Sequence, residues 1–219
     1  MADERHHCCP PRVGLRKRVF AKLYNKAMAK YEPYIADRKQ VLFANLPDRV
    51  VEIGPGTGAN LAYLPSGCRF IGIEPNPFMH DLLKQRGSEL GVDMEFRLAK
   101  AEKLEFDDDS IEAVIGTLVL CSVAEPAQLL AEIRRILKPG GKFFFIEHVA
   151  APGKSWLRFL QRVLRPIWKF VGDGCHPDRD TAQTIEAAGF TSVKIEEFTV
   201  PRGVLPRFVS PQISGVATR

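Results

Sequence analysis

No stretch of this chain approaches the roughly 18 consecutive apolar residues of a membrane-spanning helix, and its first residues hold no apolar core of the kind a secretory signal carries. A spanning or exported protein is therefore not expected, and a cytoplasmic one is. Cysteine is sparse. Cys8, Cys9, Cys68, Cys121 and Cys175 form no even, regular framework, which excludes a disulfide scaffold and leaves free thiols in a reducing compartment as the expectation. The tract His6-His7-Cys8-Cys9 has no second pair of residues at ligand spacing, so no metal site is expected. Internal repeats and low-complexity segments are absent, which excludes solenoids and disordered arrays.

What is present is one chain of 219 residues, 45% hydrophobic and 26% charged, enough for a single α/β domain with a small elaboration. Its centre is Val50-Val51-Glu52-Ile53-Gly54-Pro55-Gly56-Thr57-Gly58-Ala59-Asn60. A β-branched run entering three alternate glycines predicts a strand buried on both faces, then a turn where backbone meets a ligand closely. A helix is expected from Ala59 to Leu64, before Pro65. Strand, glycine turn and helix together build a nucleotide site, because bare N–H groups face the ligand. Phe70 to Glu74 reads as the next strand, and its terminal acid, twenty residues after Gly54, suits the two ribose hydroxyls of an adenosine. Glu52 ends its own strand, where a buried charge is costly unless a donor meets it.

The remaining elements follow from breakers and periodicity. Residues 12–34 carry seven basic residues with Glu32 the one acid, and Leu15, Val19, Phe20, Leu23 and Met28 recur at helical spacing. A second short helix is expected over Ala36–Leu46. Asn76 is a good N-cap and Pro77 a good first residue for a helix that stops at Gly91. Met94–Leu98 and Ile111–Gly116 are the third and fourth strands. Pro126 opens a helix, Lys142–Val149 is the fifth strand, and Ser155–Val171 is an apolar helix with Arg158, Arg162, Arg165 and Lys169 but no acid. Thr181 is expected to cap a helix that ends at Gly189. Val193–Phe198 and Phe208–Ala217 complete a doubly wound, seven-stranded, mostly parallel sheet with an antiparallel edge. The expected organisation is a tail over 1–11 and one domain over 12–219, with leading helices over 12–46 and a cap over about 152–180.

With Glu52 included, the glycine stretch resembles motif I of class I S-adenosylmethionine-dependent methyltransferases, and Glu74 resembles their ribose-binding acid. A narrower likeness lies in TLVLCSV (Thr117–Val123), PGG (Pro139–Gly141), EHVAA (Glu147–Ala151) and DGC (Asp173–Cys175), joined by PNP (Pro75–Pro77). These strings are similar to the methyltransferase-like seven family of alkyl thiol S-methyltransferases. The resemblance implies a Rossmann-like fold and S-adenosylmethionine as cofactor. It implies cofactor contacts at Glu52, Gly54, Pro55, Gly56, Thr57, Gly58, Glu74, Pro75, Asn76, Ala101, Glu102, Thr117 and Leu118. The implied reaction is methyl transfer to the sulfur of a small lipophilic thiol. A lipid amine or quinone-like acceptor is the alternative within the class. An NAD(P)-binding oxidoreductase is the alternative outside it, though the chain shows no recognisable Tyr/Lys hydride pair.

His148 ends a central strand at the ligand edge and is the first candidate base, followed by Asp173 and His176 in a polar turn. Cys121 and Cys175 are read as buried small hydrophobes, since direct transfer needs no cysteine nucleophile. Trp156, Phe159, Leu160 and Trp168 are expected to wall an apolar acceptor site. The expected partners are a small-molecule acceptor, no nucleic acid, and peripheral contact with an anionic membrane through the two basic amphipathic stretches.

Overall fold

The computed structural model describes residues 14–99 and 104–219. The N-terminal tail and its His/Cys tract, like Ala101 and Glu102, lie outside the described residues. Seven strands form one sheet: β1 (Arg49–Ile53), β2 (Arg69–Ile73), β3 (Asp93–Arg97), β4 (Ile111–Thr117), β5 (Leu137–His148), β6 (Ser192–Thr199) and β7 (Pro211–Thr218). Their order is β3-β2-β1-β4-β5-β7-β6, parallel from β3 to β5, with β7 antiparallel to both β5 and β6. The chain moves outward from β1 to β3 and then returns to β4 on the other side of β1. Ligands of such sheets bind where the order reverses, beyond the carboxyl ends of β1 and β4.

Alternation along β1 explains its central place. Val51 and Ile53 pack with Leu129, Ile133 and Ile136 of α3 (Pro126–Ile136), while Val50 packs with Phe43, Leu46 and Phe144 on the opposite face. All are buried, and each such side chain contributes roughly 1.5–3 kcal/mol of hydrophobic stabilisation. α2 (Pro77–Leu90) starts as its residues dictate: the Asn76 side chain accepts a bond from the Phe78 N–H, and Gly91 ends it at φ 64°.

Three elements differ from their sequence expectation. The two leading helices are one, α1 (Leu15–Leu42), which runs through Pro33. Its buried stripe of Met28, Tyr31, Ile35 and Lys39 continues across the proline, and Lys39 Nζ, itself buried, donates to Glu32 Oε1 at 2.7 Å from the other side of it. Tertiary burial thus outweighs the roughly 3 kcal/mol a proline costs inside a helix. The helix expected after the glycine turn is only a single 3-10 turn, Leu61–Tyr63, because Pro65 forces Leu64 into extended backbone. The helix expected from Thr181 to Gly189 is the shorter α5 (Thr181–Glu186), with Asp180 as its cap residue. α4 (Trp156–Val171) starts as expected, with Ser155 Oγ accepting from the Arg158 N–H, and contains Pro166.

Candidate active site

The glycine turn leaves β1 with Gly54 at φ 63° and Gly56 at φ 56°, left-handed values that β-carbon-bearing residues rarely adopt. Space forbids a side chain there too. A β-carbon on Gly54 would lie 2.7 Å from Val119 Cγ2, and one on Gly56 would lie 3.1 Å from the ring of Tyr24 on α1. Glu52, wholly buried, accepts from Asn60 Nδ2 at 2.6 Å, and the same amide donates to Thr117 Oγ1 at 2.9 Å. Glu52 Oε2 and Asn60 Oδ1 are buried acceptors with no partner among the described residues. Burial pushes the Glu52 carboxyl up to about 7 against the Asn60 hydrogen bond that lowers it. Thr57, in the same turn, is buried as well.

Glu74, just past β2, accepts from the Gly56 N–H at 3.0 Å and the Asn76 N–H at 2.8 Å. Burial raises its carboxyl to about 7 despite those two bonds. Pro75 beside it is exposed. The start of α1 lies against this corner, since Asn76 Nδ2 donates to the Lys17 carbonyl at 3.3 Å. Tyr24 closes over Gly56, and burial, then the charge of Glu74, raises its hydroxyl well above the usual tyrosine range.

The other half of the crevice is made by the ends of β4 and β5. Leu118 takes φ 58°, an uncommon left-handed value for a leucine, and turns the chain so that residues 119–121 present their N–H groups inward. Glu147, fully buried near the end of β5, accepts all three: Val119 at 2.7 Å, Leu120 at 2.8 Å and Cys121 at 3.3 Å. Burial moves its carboxyl to about 6, with those backbone bonds lowering it. Arg179 binds the same turn from outside through the carbonyls of Leu120 and, at 2.9 Å, Val123.

Cys121, His148 and Cys175 meet behind this turn. His148 Nε2 stands 2.7 Å from Cys175 Sγ, Trp168 Nε1 donates to the same sulfur at 3.1 Å, and the His176 N–H donates to the Cys121 carbonyl at 2.8 Å. All three of Cys121, His148 and Cys175 are buried. Burial pushes the Cys121 thiol well up. Burial lowers the His148 imidazole, but the neighbouring Cys121 and Glu147 outweigh it and the net direction is upward.

The structure therefore gathers Glu52, the glycine turn, Glu74, Asn76, Thr117 and Leu118 at the carboxyl ends of β1, β2 and β4, with the charge of Asp173 acting on Glu74 and His148 at the end of β5. Asp173 is ion-paired to Arg16 of α1 at 2.8 Å, which ties the loop after α4 to the helix that covers the glycine turn. Burial, then the charges of Arg179, Lys169 and Arg165, lower the His176 imidazole against the charge of Asp178. Trp156 and Phe159 point outward at 72% and 55% exposure, so they do not wall the acceptor, and only Leu160 and Trp168 of that set are half-buried. Sequence reasoning had no signal for Asn60, Tyr24 or Arg179. For Cys121 and Cys175 the signal existed: with His148, they fall one each in the TLVLCSV, EHVAA and DGC strings.

The description of a methyltransferase domain matches residues 51–145. The chain is 38% identical over 214 residues to thiol S-methyltransferase TMT1B of Rattus norvegicus, covering 93% of this chain and 87% of that protein. The chain belongs to the thiol S-methyltransferase family of class I S-adenosylmethionine-dependent methyltransferases. Thiol S-methyltransferase TMT1A of Homo sapiens is 37% identical over 86% of this chain and 81% of its own length. In fold, the chain is similar to an S-adenosylmethionine-dependent methyltransferase of Thermotoga maritima described as a possible histamine N-methyltransferase. The TM-score is 0.69 at 22% identity, over 93% of this chain and 98% of that one. The family's cofactor suits the crevice, since the unpartnered acceptors of Glu52 and Asn60 and the bare glycine turn are what its ammonium group and extended chain require.

Proposed function

We propose that this methyltransferase acts on the sulfur of a small lipophilic thiol. The observation that carries the reading is the acceptor end of the crevice. Its one buried carboxylate, Glu147, is committed to three backbone N–H groups, and what surrounds it is sulfur, imidazole and indole. An amine or phenol needs a base to take its proton in step with transfer, whereas a thiol is already a few per cent thiolate near neutral pH and strongly nucleophilic. The names of the curated relatives, thiol S-methyltransferases, support the same acceptor class.

When bound, S-adenosylmethionine supplies a methyl group already activated by its sulfonium. The chain's own part is position and dryness. Glu74 takes the ribose hydroxyls, Gly54–Gly58 lets backbone approach, and Glu52 with Asn60 receives the ammonium. Thr117 and Leu118 border the transfer end. Tyr24 and the Arg16–Asp173 pair hold α1 over the site and exclude water. The test is product mass after incubation with labelled S-adenosylmethionine and, in parallel, a small lipophilic thiol, glutathione, a lipid amine and a quinol. Methylation of the lipophilic thiol in preference to glutathione is expected. Methylation of the amine or quinol with none of the thiol overturns the assignment.

The route of a lipophilic acceptor suggests a membrane surface. Leu15, Val19 and Leu23 line an exposed stripe of α1, and Trp156, Phe159, Val163, Ile167 and Phe170 line one on α4. Arg16 joins them, donating to the Phe170 carbonyl at 2.7 Å and lying over its ring. No helix among the described residues is long and apolar enough to cross a membrane. An apolar face flanked by Arg18, Lys22, Arg162 and Lys169 fits the surface of an anionic leaflet, where each basic residue contributes about 1 kcal/mol. Flotation with phosphatidylserine-containing vesicles is expected at low salt and reduced at high salt. No association with any vesicle at low salt would remove this part of the proposal.

A further inference from the structure

Three segments far apart in sequence bring soft ligand atoms together. Cys121 lies in the turn after β4, His148 ends β5, and Cys175 follows α4, yet their ligating atoms all lie within 4.8 Å of one another. A tetrahedral zinc ion with Zn–S about 2.3 Å and Zn–N about 2.0–2.1 Å sets its ligands roughly 3.6–3.8 Å apart. The observed separations, from 2.7 Å for His148 Nε2 and Cys175 Sγ up to that 4.8 Å limit, bracket this value.

The surroundings suit metal-bound thiolates. Trp168 Nε1 is a donor only, so at 3.1 Å it treats Cys175 Sγ as an acceptor, as an outer-shell donor to a thiolate does. The Cys121 backbone is held on both sides, its N–H donating to the Glu147 carboxylate and its carbonyl accepting from the His176 N–H. Its thiol donates to the Leu118 carbonyl at 3.4 Å, a bond that metal binding would replace. Two thiolates cancel the charge of a divalent ion, which matters where all three ligands are buried. Cys/Cys/His is a set that soft ions prefer, and three protein ligands rather than four is the arrangement that leaves a coordination position for substrate. The cluster adjoins the glycine turn. Cys121 shares its turn with Val119, which lies against Gly54, and Tyr24 over Gly56 is within electrostatic reach of Cys121.

We propose that Cys121, His148 and Cys175 bind a zinc ion whose fourth position takes the sulfur of the acceptor. The acceptor role rests on the thiol methyl transfer proposed above, whereas the metal site does not. On binding, the acceptor's S–H bond breaks, its proton passes to solvent, and the sulfur electron pair is held by the ion. A thiol of pKa near 8.5 is about 3% ionised at pH 7, so full ionisation raises the reactive fraction by at most about thirtyfold. That pair forms the new sulfur–methyl bond as the sulfonium's own sulfur–methyl bond breaks, the latter pair staying on the sulfur of S-adenosylhomocysteine. The methylated product is a neutral thioether, a weaker ligand than a thiolate, and leaves. No change of oxidation state is involved.

The full chain, purified under reducing conditions and dialysed against zinc, is expected to retain about one equivalent of metal. Replacement by cobalt(II) is expected to give a thiolate charge-transfer band and the intense visible bands of a tetrahedral site. Adding a small lipophilic thiol should perturb those bands, and adding glutathione should not. Cys121→Ser and Cys175→Ser should each weaken the charge-transfer band and lower metal retention, with S-adenosylmethionine binding kept as the check that each variant folds. Wild type that retains no metal and gives no cobalt bands overturns the site without reference to any variant. So does a Cys121–Cys175 disulfide found as the native state. Chelation is expected to slow thiol methylation by ten- to thirtyfold at pH 7 while S-adenosylmethionine still binds. Full-rate methylation by metal-free protein overturns the metal's role and leaves thiol transfer standing. Bound metal with no thiol methylated supports the metal site and overturns both its acceptor role and the proposed function.

Discussion

The two halves of the crevice are built by opposite means. The half around Gly54–Gly58 and Glu74 comes from 25 consecutive residues, Glu52 to Asn76, folded by local rules: a buried strand, a left-handed glycine turn, a second strand, a capped helix. The half around Cys121, His148 and Cys175 is assembled from β4, β5 and the loop after α4, with Glu147 reaching back 26 to 28 residues to hold the turn. In the first half an acid is left free enough to meet a ligand. In the second the acid is consumed by the fold. The lesson is that a buried carboxylate at a strand's ligand end is not by that fact a catalytic group, and its hydrogen-bond partners decide.

Mutation should separate the halves cleanly, and the largest effect belongs to Glu147. Glu147→Ala leaves three buried or half-buried N–H groups without their acceptor, at about 1–3 kcal/mol for each group so stranded. A loss of 3 kcal/mol or more is expected, which in a chain of this size lowers the melting temperature by about 6–12 °C. Glu147→Gln, which keeps an oxygen acceptor, should fall between. Differential scanning calorimetry decides it, and an alanine variant with wild-type stability would mean the carboxylate is held for chemistry after all.

Glu74→Ala should act on affinity instead. Each charge-assisted hydrogen bond lost to the ribose costs roughly 1.5–3 kcal/mol, so S-adenosylmethionine should bind about ten- to a hundredfold more weakly by calorimetry. The free protein should also lose some stability, because the Gly56 and Asn76 N–H groups lose their partner. Unchanged affinity would remove Glu74 from the ribose site.

This contrast also explains what could be read from residues alone. The doubly wound seven-stranded sheet, its antiparallel edge, the Asn76 cap and the glycine turn were legible, because strand patterning, left-handed glycines and capping act over a few residues. The continuity of α1 through Pro33 was not, since it depends on Lys39 being buried against Glu32 and on the stripe that packs across the proline. The outward aim of Trp156 and Phe159 was not legible either. An apolar stripe at helical spacing says which residues share a face but not which way that face turns. The family-like strings mark Cys121, His148 and Cys175 one by one, but that the three meet is a product of topology, with β4 beside β5 and the loop after α4 folded back onto them.

A pH profile sharpens the comparison further. Glu52 and Glu74 reach about 7 when folded, above their ordinary 4.5, so between those values the folded chain holds protons that the unfolded chain releases. The sign follows: these two groups make the ligand-free protein lose stability as pH rises from about 4.5 to 7. Bound S-adenosylmethionine donates to the ionised form of Glu74 and opposes that trend. Glu52, which faces the ammonium, must ionise as well, so affinity should rise between pH 6 and 8 by no more than about tenfold per unit for each proton released. Glu74→Gln should make the profile shallower, leaving the part due to Glu52. An equally steep profile in that variant would place the titrating group elsewhere.

The smallest effect is expected at the ion pair that links the halves. Arg16 and Asp173 lie 2.8 Å apart with side chains 44% and 19% exposed, and pairs this open to water contribute about 0–1 kcal/mol. Asp173 takes φ 49°, a left-handed value that asparagine tolerates as well, so Asp173→Asn removes the charge without straining the loop. Its melting temperature should fall by no more than about 2–4 °C. The charge of Asp173 helps to raise the Glu74 carboxyl, so its removal should leave Glu74 more ionised below pH 7. S-adenosylmethionine should then bind slightly tighter at pH 6.5, with kcat for the thiol nearly unchanged. A general base would behave otherwise, since losing one typically costs about 10²–10⁴-fold in rate. A fall of that size in kcat for Asp173→Asn, at wild-type cofactor affinity, would make Asp173 a catalytic residue rather than a clasp between α1 and the loop after α4.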